Sequence, residues 1–201
     1  MQLFNDIIKN EDWHFHYFPQ FHEQYKNLEI SLTGMIVIHD FHYNMNGFRD
    51  GMKEISEIYN LSQGIELSIS HNFWKVKRNL QRILDDGYQV IFSIHSYKDY
   101  EDFFRILDEN KLLFSLIHHL GHPFHKEKRE LPLIVQDRLI SFLNDNGVSV
   151  ELNERYSRKY NSEFYIRLKQ SCSTFLGTDS HNPKSICDYR KLTRFGVIKN
   201  T

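Results

Sequence analysis

Histidine is enriched in this chain, and its spacing points to metal-binding chemistry. Twelve of the 201 residues are histidines, and most of them fall in internal clusters. The first cluster reads DWHFH over residues 12–16, and His22 follows. Side chains on a strand alternate between two faces, so His14 and His16 point the same way and can bind one ion, while His22 returns from the loop to a neighbouring site. An isolated H-x-H pair is a weak signal, because ordinary surface histidines are its simplest explanation.

Side chains able to bind a metal recur along the chain, at or just after the ends of apolar segments. Imidazole nitrogens together with carboxylate oxygens suit Zn, Mn or Fe, whereas Mg is less suited to so much nitrogen. The further candidates are His39, Glu66, His95, the group His118, His119 and His122, then Glu151 and Asn153, and finally Asp179 and His181. Among them, His118 and His119 are better explained as surface residues or neighbours of ligands, and Glu151 and Asn153 could either hydrogen-bond the ligating imidazoles or simply end a strand.

The apolar pattern predicts short strands that alternate with amphipathic helices. Near-continuous runs of Ile, Val, Leu and Phe are typical of buried parallel strands. We predict seven strands, at residues 12–16, 34–39, 64–70, 88–95, 112–118, 148–153 and 173–177. Apolar residues at helical spacing predict helices at 47–59, 72–86, 100–110 and 132–146. The stretch between His22 and His39 is short for a full helix, so we predict a reduced first crossover.

Seven strand and helix units could close into a barrel or form an open doubly wound sheet. The candidate ligands favour the barrel, because the carboxyl ends of barrel strands converge on one mouth, whereas an open sheet would scatter these residues along an edge. We therefore predict a closed or nearly closed α/β barrel, organised as a single domain over residues 1–201.

The charge and the opening residues argue against several classes of protein. Lys and Arg total 25 against 26 Asp and Glu, and the formal net charge is -1, which gives no broad cationic surface for nucleic acid or an anionic membrane. The opening sequence MQLFNDIIKNEDW has no long apolar run, so we expect no signal peptide, no membrane span and a cytoplasmic location. Cys172 and Cys187 lack the paired spacing of a zinc site and are expected to be reduced.

Taken in order, the metal-capable motifs resemble those of the polymerase and histidinol phosphatase (PHP) domain family, over about residues 12–185. The motifs are D-x-H-x-H at 12–16 with His22, Glu66 in GIEL, His95 in FSIH, His122 in GHP, and Asp179 and His181 in GTDSH, with VELN at 150–153 similar to the strand before the last motif. One motif departs: the family usually shows T-D-H after the second strand, but this chain reads IHDFH at 38–42. We take His39 as the ligand there, with His42 as the alternative.

The resemblance implies a distorted seven-stranded (β/α)7 barrel, similar to a TIM barrel, with two or three divalent metal ions (Zn, Mn or Fe) at its mouth. Glu66 would bridge two of the ions through its two carboxylate oxygens, which a histidine cannot do. By matched position, one ion would be held by His14, His16, Glu66 and Asp179, a second by His22, His39 and His181, and a third by Glu66, His95 and His122.

The resemblance also implies a hydrolase with phosphoesterase activity. We expect a histidinol-phosphatase-like phosphomonoesterase that uses a metal-activated hydroxide on a small phosphorylated substrate, with Glu66, Asp179 and His181 as catalytic residues. Arg155 and Arg158 follow the sixth strand and could bind the substrate phosphate, although a charged loop is the simpler interpretation of either one alone.

Two alternative functions stay open. The same metal centre could serve a 3'-5' exonuclease or another phosphodiesterase, but the near-zero charge and the absence of a basic, aromatic-interleaved track disfavour nucleic acid. The domain could also be a non-catalytic module in which the metals brace the fold and the protein serves a partner or acts as a sensor. The sequence does not identify the substrate or the oligomeric state, and we expect no membrane partner.

Overall fold

Seven parallel strands form a nearly closed barrel in the computed structural model, which describes residues 11–198. The strands are β1 (Glu11–His16), β2 (Thr33–His39), β3 (Ser62–Ser68), β4 (Gln89–Ser93), β5 (His119–Leu120), β6 (Ser149–Asn153) and β7 (Thr174–Gly177). Each strand pairs in parallel with the next one along the chain, so all the carboxyl ends lie at the same end of the barrel. The predicted TIM-barrel-like fold is confirmed.

The first strand and the segment after the last one meet and nearly close the barrel. The backbone N–H of His16 donates to the carbonyl of Ser180 at 2.8 Å, and the N–H of Asp179 donates to the carbonyl of His14 at 2.7 Å. A parallel bridge joins Phe15 and Ser180. This closure places the loop after β7, with its predicted ligand Asp179, directly beside the two predicted ligands of β1.

The strand interiors change from apolar to polar along the barrel axis. Met35, Val37 and Ile91 form a small buried cluster, and Trp13 and Phe175 pack against it. The residues that alternate with them on the same strands belong to the larger core that the helices cover. Further along the inward-facing positions the side chains become polar, so the apolar cluster forms the floor beneath the candidate site.

The helices confirm most of the sequence-based predictions. They are α1 (His22–Lys26), α2 (Asn46–Tyr59), α3 (Phe73–Asp85), α4 (Tyr100–Glu109), α5 (Leu133–Asp145), α6 (Ser162–Ser171) and α7 (Arg190–Arg194). The four predicted helices correspond to α2 to α5, and the short α1 confirms the reduced first crossover. Helices α6 and α7 were not predicted. No helix within residues 11–198 is both long and apolar enough to cross a membrane.

The fifth strand differs from the prediction. Most of the apolar run at 112–118 lies in a 3-10 helix, Lys111–Ser115, and the strand itself is only His119–Leu120. Leu113 and Phe114 are buried, whereas Leu112 is 77% exposed, which is not the burial of a central strand. A short apolar run has no periodicity that separates a strand from a buried turn of helix, and this run was assigned wrongly for that reason.

Candidate metal centre

Glu66 lies at the centre of the candidate site, buried inside the barrel at 1% exposure. It projects inward from the carboxyl half of β3, opposite His39 at the end of β2. Its Oε2 atom lies 2.7 Å from Nδ1 of His39, 3.4 Å from Nε2 of His16 and 3.9 Å from Nε2 of His14. These imidazoles come from β1 and from the end of β2, the two strands that precede β3 in the sheet.

The other oxygen of Glu66 faces a second group of histidines. Oε1 lies 2.9 Å from Nε2 of His122 and 3.2 Å from Nε2 of His95, and it accepts a 2.6 Å hydrogen bond from the hydroxyl of Ser93. His95 follows β4 and His122 follows β5, on the opposite side of β3 from the first group. One carboxylate therefore divides its two oxygens between two sets of imidazoles, as a bridging ligand must.

Asp179 and His181 complete the mouth next to β1. Oδ1 of Asp179 lies 2.9 Å from Nε2 of His16 and 3.3 Å from Nε2 of His181. Asp179 has a φ of 46°, in the left-handed region that Asp tolerates better than most residues. That backbone turn directs the carboxylate toward β1.

Four groups of donor atoms within residues 11–198 are compact enough to hold an ion, each with its atoms within 4.8 Å of one another. They are His14, His16 and Asp179; His16, His39 and His181; Glu66, His95 and His122; and His14, His122 and Glu151.

The residues present fit divalent metal ions. Nε2 of His14 is buried and has no hydrogen-bond partner. Nε2 of His16 and Oε2 of Glu66 are also buried, and each lies against other members of the same donor set, Asp179 and His39 respectively. Buried polar atoms are almost always paired, because leaving one unpaired costs about 1–3 kcal/mol. A cation would satisfy all three atoms, and a mixed imidazole and carboxylate set suits Zn, Mn or Fe.

The electrostatics of the site favour ionised carboxylates. Burial opposes the charge on Glu66, but hydrogen bonds from His122, His39 and His95 outweigh burial and hold the pKa of Glu66 well below its usual value. Burial likewise opposes charge on Asp179, and hydrogen bonds from His16 and His181 hold its pKa well below the usual value. Both groups are therefore available as anionic ligands at neutral pH.

The imidazoles on β1 have opposite preferences for a proton. Burial disfavours the charged form of His14, but the adjacent carboxylate of Glu151 outweighs burial and raises the pKa of His14 to about 10. Burial dominates at His16 and lowers its pKa to about 3, which leaves that imidazole neutral and able to bind a metal.

His22 is not brought into these groups. Its Nδ1 atom is hydrogen-bonded to the hydroxyl of Tyr17 at 2.9 Å, and its Nε2 atom lies 3.2 Å from Oε2 of Glu54 on α2. Among the described residues, the group that contains His39 and His181 takes His16 as its third member instead. The D-x-H-x-H motif predicted the strand ligands, but it carried no signal for the direction of the following loop.

Of the two histidines in the irregular second motif, IHDFH at 38–42, His39 lies at the site and His42 does not. Nδ1 of His39 contacts Glu66, whereas the ring of His42 stacks on Phe48 with 3.9 Å between centroids. His39 ends β2 at an inward-facing position, and His42 lies in the short 3-10 helix beyond it.

The two candidate phosphate ligands have different environments. Nη1 of Arg155 lies 3.0 Å from Nε2 of His181 and 3.4 Å from Oδ2 of Asp179, at the edge of the metal centre. Arg158 instead donates to the carbonyls of Arg155 at 2.7 Å and Ser157 at 2.8 Å. Arg155 therefore lies at the site, while Arg158 stabilises the loop that carries it.

A pocket of about 660 Å³ opens beside Asp179 and His181. Phe21 forms part of its wall. Its lining includes four cationic side chains, Arg155, Arg190, Lys191 and Arg194, and three carboxylates, Glu154, Asp179 and Asp188. Arg190 pairs with Asp188 at 2.6 Å, whereas Arg155 lies beside the candidate metal centre.

Comparison with solved structures finds the same fold in a deaminase. The chain superposes on adenine deaminase from Arthrobacter aurescens with a TM-score of 0.50 and 10% sequence identity, covering 88% of this chain and 66% of that one. The chain thus spans just under two thirds of the deaminase's length. No family model matches the sequence, and no curated protein matches it. The likeness supports the barrel fold alone.

Proposed function

We propose that this protein is a metal-dependent hydrolase that cleaves phosphomonoesters. The observation that carries the proposal is the buried carboxylate of Glu66, whose two oxygens face two sets of imidazoles at the carboxyl end of a barrel. Bound there, two or three divalent ions would neutralise phosphate oxygens, acidify a water molecule and stabilise the leaving alkoxide.

The residues divide into three groups of ligands under this proposal. Glu66 would bridge two positions, and its buried, ionised state suits that role. One ion would be held by His14, His16 and Asp179 with Glu66, and another by Glu66, His95 and His122. A third would be held by His39 and His181, because the one lone pair of a neutral His16 is used in the first group.

The surroundings of the site favour a phosphate ester as substrate. Arg155 presents Nη1 beside Asp179 and His181, where a phosphate bound at the metal centre would lie within its reach. Guanidinium groups bind phosphate through paired hydrogen bonds. The adjoining pocket would take the small organic part of the ester.

Two other activities compete with this one and are tested in the same assay. One structural neighbour is an adenine deaminase, so hydrolysis at a purine carbon is one competitor. Cleavage of single-stranded DNA at the same centre is the other. Deamination does not account for an arginine beside Asp179, and the near-zero net charge of the chain disfavours DNA as the substrate.

The test is a substrate panel with the metal-loaded protein. We expect turnover of small phosphomonoesters, no release of ammonia from adenine and little cleavage of single-stranded DNA. Glu66→Gln should lower phosphomonoester turnover by about a thousandfold or more, because it removes the bridging charge. Glu57→Gln, which alters an exposed carboxylate on α2, is the matched control and should keep full activity.

Three results would overturn the proposal. They are ammonia release from adenine without ester hydrolysis, activity confined to DNA, and full metal occupancy without turnover of any of these substrates. The last result would favour a non-catalytic module.

A further inference from the structure

Glu151 is a buried carboxylate that contacts two segments carrying candidate metal ligands. It lies on β6 with 0% exposure. Its Oε1 atom lies 3.0 Å from Nδ1 of His14 and accepts a 2.7 Å hydrogen bond from the side chain of Asn153. Its Oε2 atom accepts a 2.9 Å hydrogen bond from the backbone N–H of His122. Both oxygens therefore face N–H donors, and the carboxylate acts as an acceptor on both sides.

The barrel leaves space for this carboxylate through a glycine on the next strand. A Cβ atom at Gly177 would lie 2.0 Å from Oε1 of Glu151 and 2.8 Å from Cβ of His14. Any larger residue would displace the carboxylate or the imidazole. The absence of a side chain at Gly177 thus lets Glu151 reach across to β1.

The contact with Glu151 determines which nitrogen of His14 is free to bind a metal. A metal ion that binds His14 displaces one hydrogen of its imidazolium, and the carboxylate that accepts on this side favours the remaining hydrogen on Nδ1. The lone pair then lies on Nε2, which is buried, has no hydrogen-bond partner and points toward Oε2 of Glu66, 3.9 Å away. Without Glu151 the other tautomer would place a hydrogen where the ion must bind.

The second oxygen acts on the other set of ligands. Nε2 of His122 lies 2.9 Å from Oε1 of Glu66, on the opposite side of the bridging carboxylate from His14. Oε2 of Glu151 accepts a hydrogen bond from the backbone N–H of His122, and this contact fixes the segment from which the imidazole of His122 projects. Glu151 thus constrains one ligand from each of the two sets.

We propose that Glu151 is a positioning residue that sets the tautomer of His14, holds the segment of His122 and thereby couples the binding of the ions on the two sides of Glu66. The inference rests on the metal binding of the proposed function. Glu151 itself would not contact an ion, although its carboxylate also forms a compact group of donor atoms with His14 and His122. The oxygens of Glu151 already accept hydrogen bonds, whereas Nε2 of His14 is unpaired.

The first test compares metal affinity in Glu151→Gln and the wild type. The amide must turn its NH2 group toward an N–H donor on one side, which breaks one of the two contacts. We therefore expect the affinity for Zn²⁺ or Mn²⁺ to fall about 10–100-fold, and to fall for more than one equivalent of bound metal. Glu154→Gln is the matched control: this buried carboxylate on the same segment accepts from the backbone N–H groups of Lys191 and Leu192 and touches none of the imidazoles. It should lower the thermal midpoint of the metal-free protein and leave metal affinity unchanged.

The second test needs no variant and uses ¹⁵N-histidine NMR on the wild-type protein. We expect the His14 signals to show a hydrogen on Nδ1 and a metal-dependent shift at Nε2. A metal-dependent shift at Nδ1, or unchanged affinity in a folded Glu151→Gln, would overturn the inference while leaving the proposed function intact. A wild type that binds no metal would instead refute the proposed function itself.

Discussion

At the residue scale, the site depends on how a negative charge is accommodated inside a barrel. Glu66 is almost fully buried, and a buried carboxylate without partners would take up a proton. Here the imidazoles of His122, His39 and His95 hold its pKa well below the usual value. The same imidazoles are candidate metal ligands, so the arrangement that keeps Glu66 ionised also assembles the centre.

The positions of the individual candidate ligands could be predicted from sequence only where the backbone fixes their direction. His14 and His16 share a face because they are two residues apart on a strand, and the structure brings both to Glu66. His22 begins α1, beyond the strand, and its imidazole contacts Tyr17 and Glu54 instead. Those two contacts depend on the packing of α2, which the motif does not encode.

Arg155 is predicted to bind the substrate phosphate, whereas Arg158 is not. Arg155→Ala should raise KM for a phosphomonoester about tenfold or more, because it removes a charge-assisted hydrogen bond worth about 1.5–3 kcal/mol. Arg155→Lys should recover part of the loss, since lysine keeps the charge without the paired donors. Steady-state kinetics on the metal-loaded variants measure both effects.

Arg158→Ala is the comparison for that prediction. Its guanidinium donates to backbone carbonyls, so its loss should lower thermal stability and change KM less than the loss of Arg155. An equal rise of KM in both variants would restore the sequence-based hypothesis that either arginine binds phosphate.

At the scale of elements, the junction of β1 with the segment after β7 does most to assemble the mouth. Asp12, the first residue of the D-x-H-x-H motif, is fully buried and accepts from the backbone and hydroxyl of Thr178 and from the N–H of Cys187. Burial raises its pKa to about 6. Asp12 thus anchors the loop that carries Asp179, a structural role that the motif alone does not distinguish from metal binding.

Element boundaries were predictable where turn residues and periodicity agreed. Helix α3 ends close to Gly87 and α5 ends close to Gly147, and both glycines have the positive φ that favours glycine at a helix end. The fifth strand had no such boundary in the sequence. The 3-10 helix and the two-residue strand that follows it can be told apart only in the folded barrel. Tertiary context therefore decided the element that the sequence left ambiguous.

Gly177 on β7 should not tolerate a side chain. A Cβ there would meet Glu151 and His14, so Gly177→Ala should lower the free energy of unfolding by about 1–3 kcal/mol through overpacking. It should also weaken metal binding, because it displaces the group that orients His14. Urea unfolding of the metal-free protein and a metal titration measure the two effects.

Gly47→Ala provides the control. Gly47 lies in the first turn of α2, and nothing within 4 Å would meet the added Cβ. Alanine is the better helix former by up to about 1 kcal/mol, so this variant should be as stable as the wild type or slightly more stable. Equal destabilisation by the two substitutions would contradict the packing described at Gly177.

At the scale of the whole molecule, the near-zero net charge does not show where the charged side chains gather. The chain carries a formal charge of -1, and four cationic side chains and three carboxylates line the pocket beside the candidate metal centre. Composition could argue against a broad nucleic-acid surface, but it could not locate this pocket. The paired strands β6 and β7 bring most of its residues together, and the closure of the barrel adds Phe21, which follows β1.

The most direct test of the account is a crystal structure of the metal-loaded protein with anomalous scattering recorded at the absorption edge of the bound metal. We predict separate peaks on the two sides of the Glu66 carboxylate, one within ligand distance of His14, His16 and Asp179 and one within ligand distance of His95 and His122. A metal-saturated crystal with no peak within ligand distance of Glu66 would contradict the account.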